Sequence, residues 1–309
     1  MRVILILFMW VISLNVFSQG CSDAGFCTMG AMKPDQSFSR QINFKLRSVE
    51  FSYYRGTSTL SPVIYSVTAD LNFGINDRLG FQVKVPYQWV KGTLGNTQSV
   101  GDISFSVTQN LYRTEQIDLN FTLGGKIPTN NSTHANANGL DLPMYYQTSL
   151  GSYDVIAGFS MLTKKWLVAF GYQQALTSND NEFRYGEWIR FRDQEYVRSY
   201  DSGVGLRRGI DLMLRTERSW RFINYSFSLA ALPIYRITPD RGLQIAANED
   251  RGEVRTTGLA LSVLAGFTYH LSTSSGFKVL YGYKLLDRKT NPDGLTRDDV
   301  FTMAYLLRF

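Results

Sequence analysis

The sequence predicts an all-β protein, an antiparallel transmembrane β-barrel of about twelve strands with short turns at one end and long loops at the other. Three observations predict it. Apolar residues recur at every second position through many segments, as strand side chains alternate between faces with period 2. The links between those segments alternate short and long. The last segment, Asp299 to Phe309, sets Phe301, Met303, Tyr305, Leu307 and Phe309 on one face and closes on an aromatic residue. A barrel calls for such a strand, because its last strand pairs with its first and its outer face meets lipid.

Twelve segments carry the alternation: about 41–56, 62–75, 79–92, 100–112, 117–127, 150–162, 166–177, 203–216, 220–236, 256–271, 276–287 and 299–309. It is clearest in Val63/Tyr65/Val67/Ala69/Leu71/Phe73, Leu79/Phe81/Val83/Val85/Tyr87/Trp89, Leu259/Leu261/Val263/Ala265/Phe267/Tyr269 and Phe277/Val279/Tyr281/Tyr283/Leu285. Segments of about ten to fifteen residues suit tilted membrane strands, which need about 9–11 within the bilayer. Short links join even to odd segments: Asn76-Asp77-Arg78, Arg113 to Gln116, Thr163-Lys164-Lys165, Glu217-Arg218-Ser219 and Ser272 to Ser275. The odd-to-even links 93–99, 128–149, 178–202, 237–255 and 288–298 are mostly long and polar. Short turns in the periplasm and long loops outside are the outer-membrane arrangement, and an even count puts both termini in the periplasm. Ten or fourteen strands result if the first segment splits or a long loop hides a hairpin.

The N-terminus fits export. Arg2, the apolar run Val3 to Leu14 and then Val16-Phe17-Ser18 read as a signal peptide over residues 1–18, cleaved to leave Gln19. Residues 19–40 then form an N-terminal periplasmic segment and 41–309 the barrel. Cys21 and Cys27 are the only cysteines, and a disulfide is their expected state in an exported chain. The alternative is an acyl group on Cys21, which the preceding Ser18-Gln19-Gly20 fits poorly.

Composition agrees with a barrel. Past the signal peptide no stretch approaches 18 continuous apolar residues, so no transmembrane helix is expected. The mean hydropathy of −0.15 suits a soluble protein or a barrel, whose membrane surface is hidden in alternation. The 18 tyrosines, 20 phenylalanines and 5 tryptophans supply aromatic girdles for two interfaces. A net charge of +6 without a concentrated basic patch argues against nucleic acid as a partner.

The polar faces of the strands point to a hydrated or ion-paired lumen. Lys45, Asp70, Lys84, Asp118, Lys126, Arg207, Asp211, Arg215, Lys278 and Lys284 are its candidate lining, with Arg308 beside them. Cations outnumber carboxylates in this set, so an open pore would favour anions. A plugged lumen would neutralise the same charges in pairs.

Catalysis is not expected. His134 and His270 are the only histidines, and His134-Ala135-Asn136 carries Asn136 where an outer-membrane lipid hydrolase would carry its serine nucleophile. His270 is followed by Leu271 and Ser272, a turn residue. No cofactor or metal is expected: two cysteines without a nearby histidine make a poor zinc site, and Asn291, Asp293, Asp298 and Asp299 lack calcium-loop spacing. In the 178–202 loop, aromatic residues interleave with arginines. One reading makes it two strands that extend beyond the membrane and carry an interface belt. The other makes it a contact surface, with Arg184, Trp188, Arg190 and Phe191 as anchors for lipopolysaccharide, a ligand or a partner protein.

Two resemblances add to this. The C-terminal strand is similar to the insertion signal of Gram-negative outer-membrane proteins, which implies delivery by the barrel-assembly machinery into a membrane of lipid and lipopolysaccharide. Lys84-Val85-Pro86-Tyr87, Gly101-Asp102-Ile103, Gly125-Lys126-Ile127-Pro128-Thr129 and Gly151-Ser152-Tyr153-Asp154 occur in that order. Over about residues 80–175 this resembles the transporter family of the meta-cleavage pathway of phenol degradation, with Asn130 where that family often has glycine. The resemblance implies a barrel that passes small hydrophobic or aromatic molecules. The expected function is passive passage of a small molecule across the outer membrane. The alternative is a non-conducting barrel subunit of a larger outer-membrane assembly.

Overall fold

A computed structural model describes Met29, Met32, Lys33 and residues 45–242 and 256–309. The expected signal peptide over residues 1–18 and both cysteines, Cys21 and Cys27, lie outside the described residues. Among the described residues, thirteen antiparallel strands form one closed sheet: β1 (Lys45–Thr57), β2 (Val63–Gly74), β3 (Leu79–Gly92), β4 (Gly95–Val100), β5 (Ile103–Arg113), β6 (Ile117–Ile127), β7 (Asp154–Thr163), β8 (Trp166–Ala175), β9 (Asp211–Arg221), β10 (Tyr225–Arg236), β11 (Gly258–His270), β12 (Ser275–Leu286) and β13 (Asp299–Arg308). Strands consecutive in sequence pair, except that β4 and β5 both pair with β3 and not with each other, and β1 pairs with β13 from Ser48↔Arg308 to Gly56↔Val300, which closes the wall. Because β4 and β5 share one position beside β3, thirteen strands make a barrel of twelve staves.

The alternation fixes which face looks out. Val67, Val85, Leu123, Phe159, Phe170, Leu214, Leu229 and Met303 stand exposed as an apolar outer band, while Ser66, Gln82, Thr122 and Ser262 are buried inside. Aromatic residues sit at both rims. Near the loop end, the Tyr65 and Trp89 rings stack with centroids 5.6 Å apart. Near the turn end, the Arg218 guanidinium lies 5.0 Å from the Trp166 ring centroid and 5.8 Å from that of Trp220. On β13, Met303 is exposed and Phe301, Tyr305 and Leu307 half-buried, whereas Val300, Ala304 and Leu306 face inward and are buried; Phe309, just past the strand, is exposed.

Short side chains shape the turns. Asn76 Oδ1 accepts from the backbone N–H groups of Arg78 (2.8 Å) and Leu79 (2.7 Å). Thr114, Thr163 and Ser272 make the equivalent hydroxyl turns, accepting from Ile117, Trp166 and Ser275.

Two expectations from the sequence are corrected. The link 93–99 is no loop. It is a tight turn at Thr93-Leu94 leading into β4, and the stave breaks at Gly101-Asp102 before resuming as β5. The break lies opposite Pro86, which has no N–H to give the ladder, and Gly101 N donates to Pro86 O at 2.8 Å. The segment expected at 203–216 is β9, displaced toward the C-terminus, and the turn is Phe222-Ile223-Asn224. Glu217, Arg218 and Ser219 resemble a polar turn in sequence. They continue the strand because inward-facing Glu217 pairs with inward-facing Arg215 at 2.6 Å, and the two neutralise each other out of water. Arg207 is therefore no lumen-facing strand residue. It lies exposed in a bridge to Arg241, with Nε donating to Ala175 O.

Candidate functional site: a chamber in the lumen

Inside the barrel lies a chamber of about 200 Å³. Its walls come from the strands that contain Lys84, Lys126 and Lys278, three of the charged residues whose alternation aimed them inward. Each faces a carboxylate: Lys84 Nζ is 3.8 Å from Asp70, Lys126 Nζ 3.6 Å from Asp102, and Lys278 Nζ 3.2 Å from Glu50. Two glutamine donations from Gln82 Nε2 further satisfy Asp70. Burying these charges is tolerable only because each has an opposite charge and hydrogen bonds.

Below the chamber, Met29, Met32 and Lys33 lie inside the barrel. Met29 and Met32 are almost fully buried among Ile156, Leu167, Ala169, Met213, Leu232 and Leu264 on the inner wall of β7–β11. A one-turn bond from Met32 N to Met29 O (2.9 Å) shapes the segment. The glycines of the wall make the room: a Cβ on Gly158 would stand 2.5 Å from the Met32 sulfur. Lys33 Nζ then reaches Asp70 at 2.6 Å and Glu50 at 3.1 Å, so one ammonium ties the segment to two strands and also lines the chamber.

Above the chamber, the long loops fold inward into a cap with its own core. Trp188, Phe183, Val197, Tyr200, Tyr145, Tyr146 and Leu142 are buried together there with Ile64, Val90 and Leu94 from the rim. A 3-10 turn at Tyr185–Trp188 and a helical turn at Gln194–Arg198 shape the 178–202 loop. Asn181 Nδ2 donates to Ser132 O (2.9 Å) and Leu142 O (3.0 Å), which fastens that loop to the 128–149 loop. The hydroxyls of Tyr196 and Tyr200 both donate to Leu60 O at 2.7 Å. Burial raises the Tyr146 hydroxyl to about 12, so it stays neutral at any ordinary pH while it accepts from the Leu94 N–H at 3.1 Å.

An ionic clamp binds the cap to the wall. Arg236 at the end of β10 holds Asp211 of β9 (2.7 Å), Asp240 of the following loop (2.8 Å) and Asp293 of the 287–298 loop (2.9 Å). Arg288 adds a contact to Asp293 at 3.5 Å, and Arg208 pairs with Asp154. Burial would raise the Asp293 carboxyl. The surrounding Arg236, Arg288 and Arg208 outweigh that and hold it well below the usual carboxylate range. Lys284 makes a second tie, to Asp287 (2.9 Å) and Asp298 (2.8 Å). The acidic residues near Gly294 thus take arginine and lysine as their cations.

The structure sorts the residues singled out in the sequence. Lys84, Lys126 and Lys278 meet at the chamber with Asp70 close by. Asp211, Arg215 and Lys284 are buried elsewhere in the lumen, in the clamp or in their own pairs. Asp118 pairs with Arg113 at 3.3 Å near the turn end, apart from the chamber. Lys45 begins β1, and its side chain is outside the described residues. Of the four contact candidates in the 178–202 loop, Arg184 and Arg190 are exposed. Trp188 is 1% exposed, packed edge-on against half-buried Phe191, and its Nε1 donates to Asp141 O, so it anchors the cap and presents no ring to a partner. The loop's aromatic residues fill an interior, which also corrects the expectation of strands extended beyond the membrane. His134 sits in the cap with Nε2 3.0 Å from Thr148 Oγ1, and burial lowers its basicity.

Sequence reasoning missed Lys33, Glu50 and Arg236, and it named Asp102 and Asp293 without assigning either a buried charge to pair with. Glu50 had a signal, since it alternates with outward Phe51. Asp102 had another in the Gly-Asp of the resemblance block: the strand break turns its carboxylate inward to Lys126 and to the backbone N–H of Leu150 (3.2 Å).

No family model matches the sequence, and no curated protein matches it either. Solved structures of barrels do. A KdgM porin aligns over 85% of this chain and 99% of its own at 8% identity and a TM-score of 0.43. A NanC porin aligns over 85% and 98% at 12% identity and 0.45. The CymD monoaromatic hydrocarbon channel aligns over 96% and 99% at 10% identity and 0.42. At TM-scores below 0.5 these likenesses carry no argument about what this chain does.

Proposed function

We propose that this chain is an outer-membrane channel that passes a small molecule through a gated lumen. The outer apolar band would sit in lipid and lipopolysaccharide after insertion by the barrel-assembly machinery, with the short turns and both chain ends in the periplasm. One observation carries the reading: a chamber of about 200 Å³ lies inside a closed wall, between two closures that are held by side chains and belong to no strand. Met29, Met32 and Lys33 form the inner closure and the loop cap the outer one. A chamber of this size suits a single small ring, since an apolar cavity of about 150 Å³ holds benzene. That agrees with the hydrophobic or aromatic cargo implied by the resemblance. Five cations line the chamber (Lys33, Lys84, Lys126, Lys278, Arg297) against three carboxylates (Glu50, Asp102, Asp293), which favours anions over cations.

The test is ion selectivity in planar bilayers. Lys84→Gln and Lys278→Gln together move the reversal potential toward cations. An unchanged reversal potential would remove the chamber from the conducting path. The apolar packing of Met29 and Met32 across the lumen favours a second reading, a non-conducting subunit of an outer-membrane assembly. That reading predicts that the protein extracted in mild detergent runs as a large hetero-complex, whereas a channel runs as a monomer or small homo-oligomer.

A further inference from the structure

Arg297 differs from every other cation of the chamber. It is 4% exposed and lines the chamber, yet no carboxylate lies within ion-pair distance of it among the described residues. Its Nη1 donates to two backbone carbonyls, Gly294 O (2.6 Å) and Thr296 O (2.8 Å), which fix the guanidinium without neutralising it. Its Nε is buried without any hydrogen bond. The neighbouring lysines show what the fold does when a buried charge serves structure alone: each is paired. Asp102 Oδ1 is also without a hydrogen bond, but its carboxylate is already balanced by Lys126. A buried guanidinium with free donors and no counter-charge is expensive to keep, and a planar carboxylate is the group its fork of N–H donors fits best.

The other walls indicate the rest of the ligand. Tyr54, Pro86, Met144, Leu150, Leu295 and Val300 line the same space. An apolar body of about one ring can lie against them while its acid group meets Arg297.

We propose that the chamber is a binding site for a small organic monocarboxylate with a compact apolar body, and that Arg297 is the residue that binds its carboxylate. The proposal rests on the channel reading and names its cargo class. Arg297 sits in the 287–298 loop that closes the chamber from above, so an occupied site would also bear on the cap.

The test reads binding without flux. The full chain, purified in detergent, is titrated calorimetrically with benzoate and with benzamide, its neutral isostere. The wild type binds benzoate about tenfold or more tightly than benzamide, the scale of a charge-assisted hydrogen-bond pair. Arg297→Gln loses that preference and Arg297→Lys keeps part of it, while resistance of the cap to trypsin shows that each variant is folded. The proposal is overturned if the wild type binds the two compounds equally, if it binds neither, or if Arg297→Gln retains the preference. Liposome flux is measured separately: binding without transport refutes the channel reading and leaves the site, and transport without a benzoate preference refutes the site and leaves the channel.

Discussion

The clamp at Arg236 should be what keeps the cap shut, and Arg236→Met measures its strength. The side chain is 1% exposed and contacts three carboxylates within 2.9 Å. Methionine has similar bulk and no charge, so packing changes little while three buried acids lose their counter-ion. Asp293 keeps Arg288 at 3.5 Å, and Asp240 keeps the backbone N–H of Gly209 at 2.6 Å. Asp211 loses the partner of both its oxygens. Breaking a buried pair from one side costs about 3–5 kcal/mol. The cheapest relief is release of the two loops, which carries Asp240 and Asp293 into water while β9 and β10 stay paired in the wall. A cost of about 3 kcal/mol shifts the docking equilibrium of those loops roughly 100-fold. Trypsin reports it by cleavage after Arg288, Lys289 and Arg297, with unheated gel mobility as the check that the barrel persists. Adding Asp293→Asn should recover part of the protection, because it removes one stranded charge. Cleavage rates within about threefold of wild type would refute the clamp, given the size of shift expected.

Two further outcomes follow from the cap. Trp188→Ala should loosen the cap by about 3–5 kcal/mol, as for other buried aromatic truncations, and expose the 178–202 loop to trypsin at Arg190, Arg192 and Arg198; unchanged resistance would mean that the ring is not part of the cap core. Asp293, with a pKa below its ordinary 3.8, contributes stability that is complete above that value and declines as pH falls through the lowered folded-state pKa. Hydrogen exchange in the 287–298 loop should therefore differ between wild type and Asp293→Asn at pH 6 and converge well below pH 3.8; a difference independent of pH would assign the effect to packing.

The wall of this barrel is written in the sequence because alternation is a local signal. Phe301, Met303, Tyr305 and Leu307 mark the outer face of β13 without reference to any other strand, and Lys84 and Asp70 are aimed inward by the same parity. The misplacement of β9 has the same origin. Glu217-Arg218-Ser219 looks like a turn until Arg215 is seen to neutralise Glu217, and that pairing is visible only once parity is known. What lies inside the lumen is less legible. Lys33 sits in a polar segment with no periodicity, and its partners Glu50 and Asp70 come from separate strands. Arg236 gathers carboxylates from 25 residues before it to 57 residues after it. Trp188 reads as an exposed anchor in a loop rich in charge, because burial of a loop is decided by the other loops. Arg297 has no sequence signature at all: its distinction is the absence of a carboxylate in three dimensions.

The central claim is a lumen closed from the turn end by Met29, Met32 and Lys33, and single-channel conductance of the full-length protein tests it most directly. Met32→Ala removes a side chain buried to 0% exposure, and Lys33→Ala removes the ammonium bridging Glu50 and Asp70. Those carboxylates keep Lys278 and Lys84, so the wall stays intact when the segment leaves. Losing the methionine packing alone is worth about 2 kcal/mol, roughly a 30-fold shift in docking. On the Arg236→Met background, which releases the outer cap, the chain with native Met32 and Lys33 should be closed most of the time and the chain with both substitutions should show frequent openings of uniform size. Equal and silent traces from both proteins, with the variant correctly folded, would contradict it.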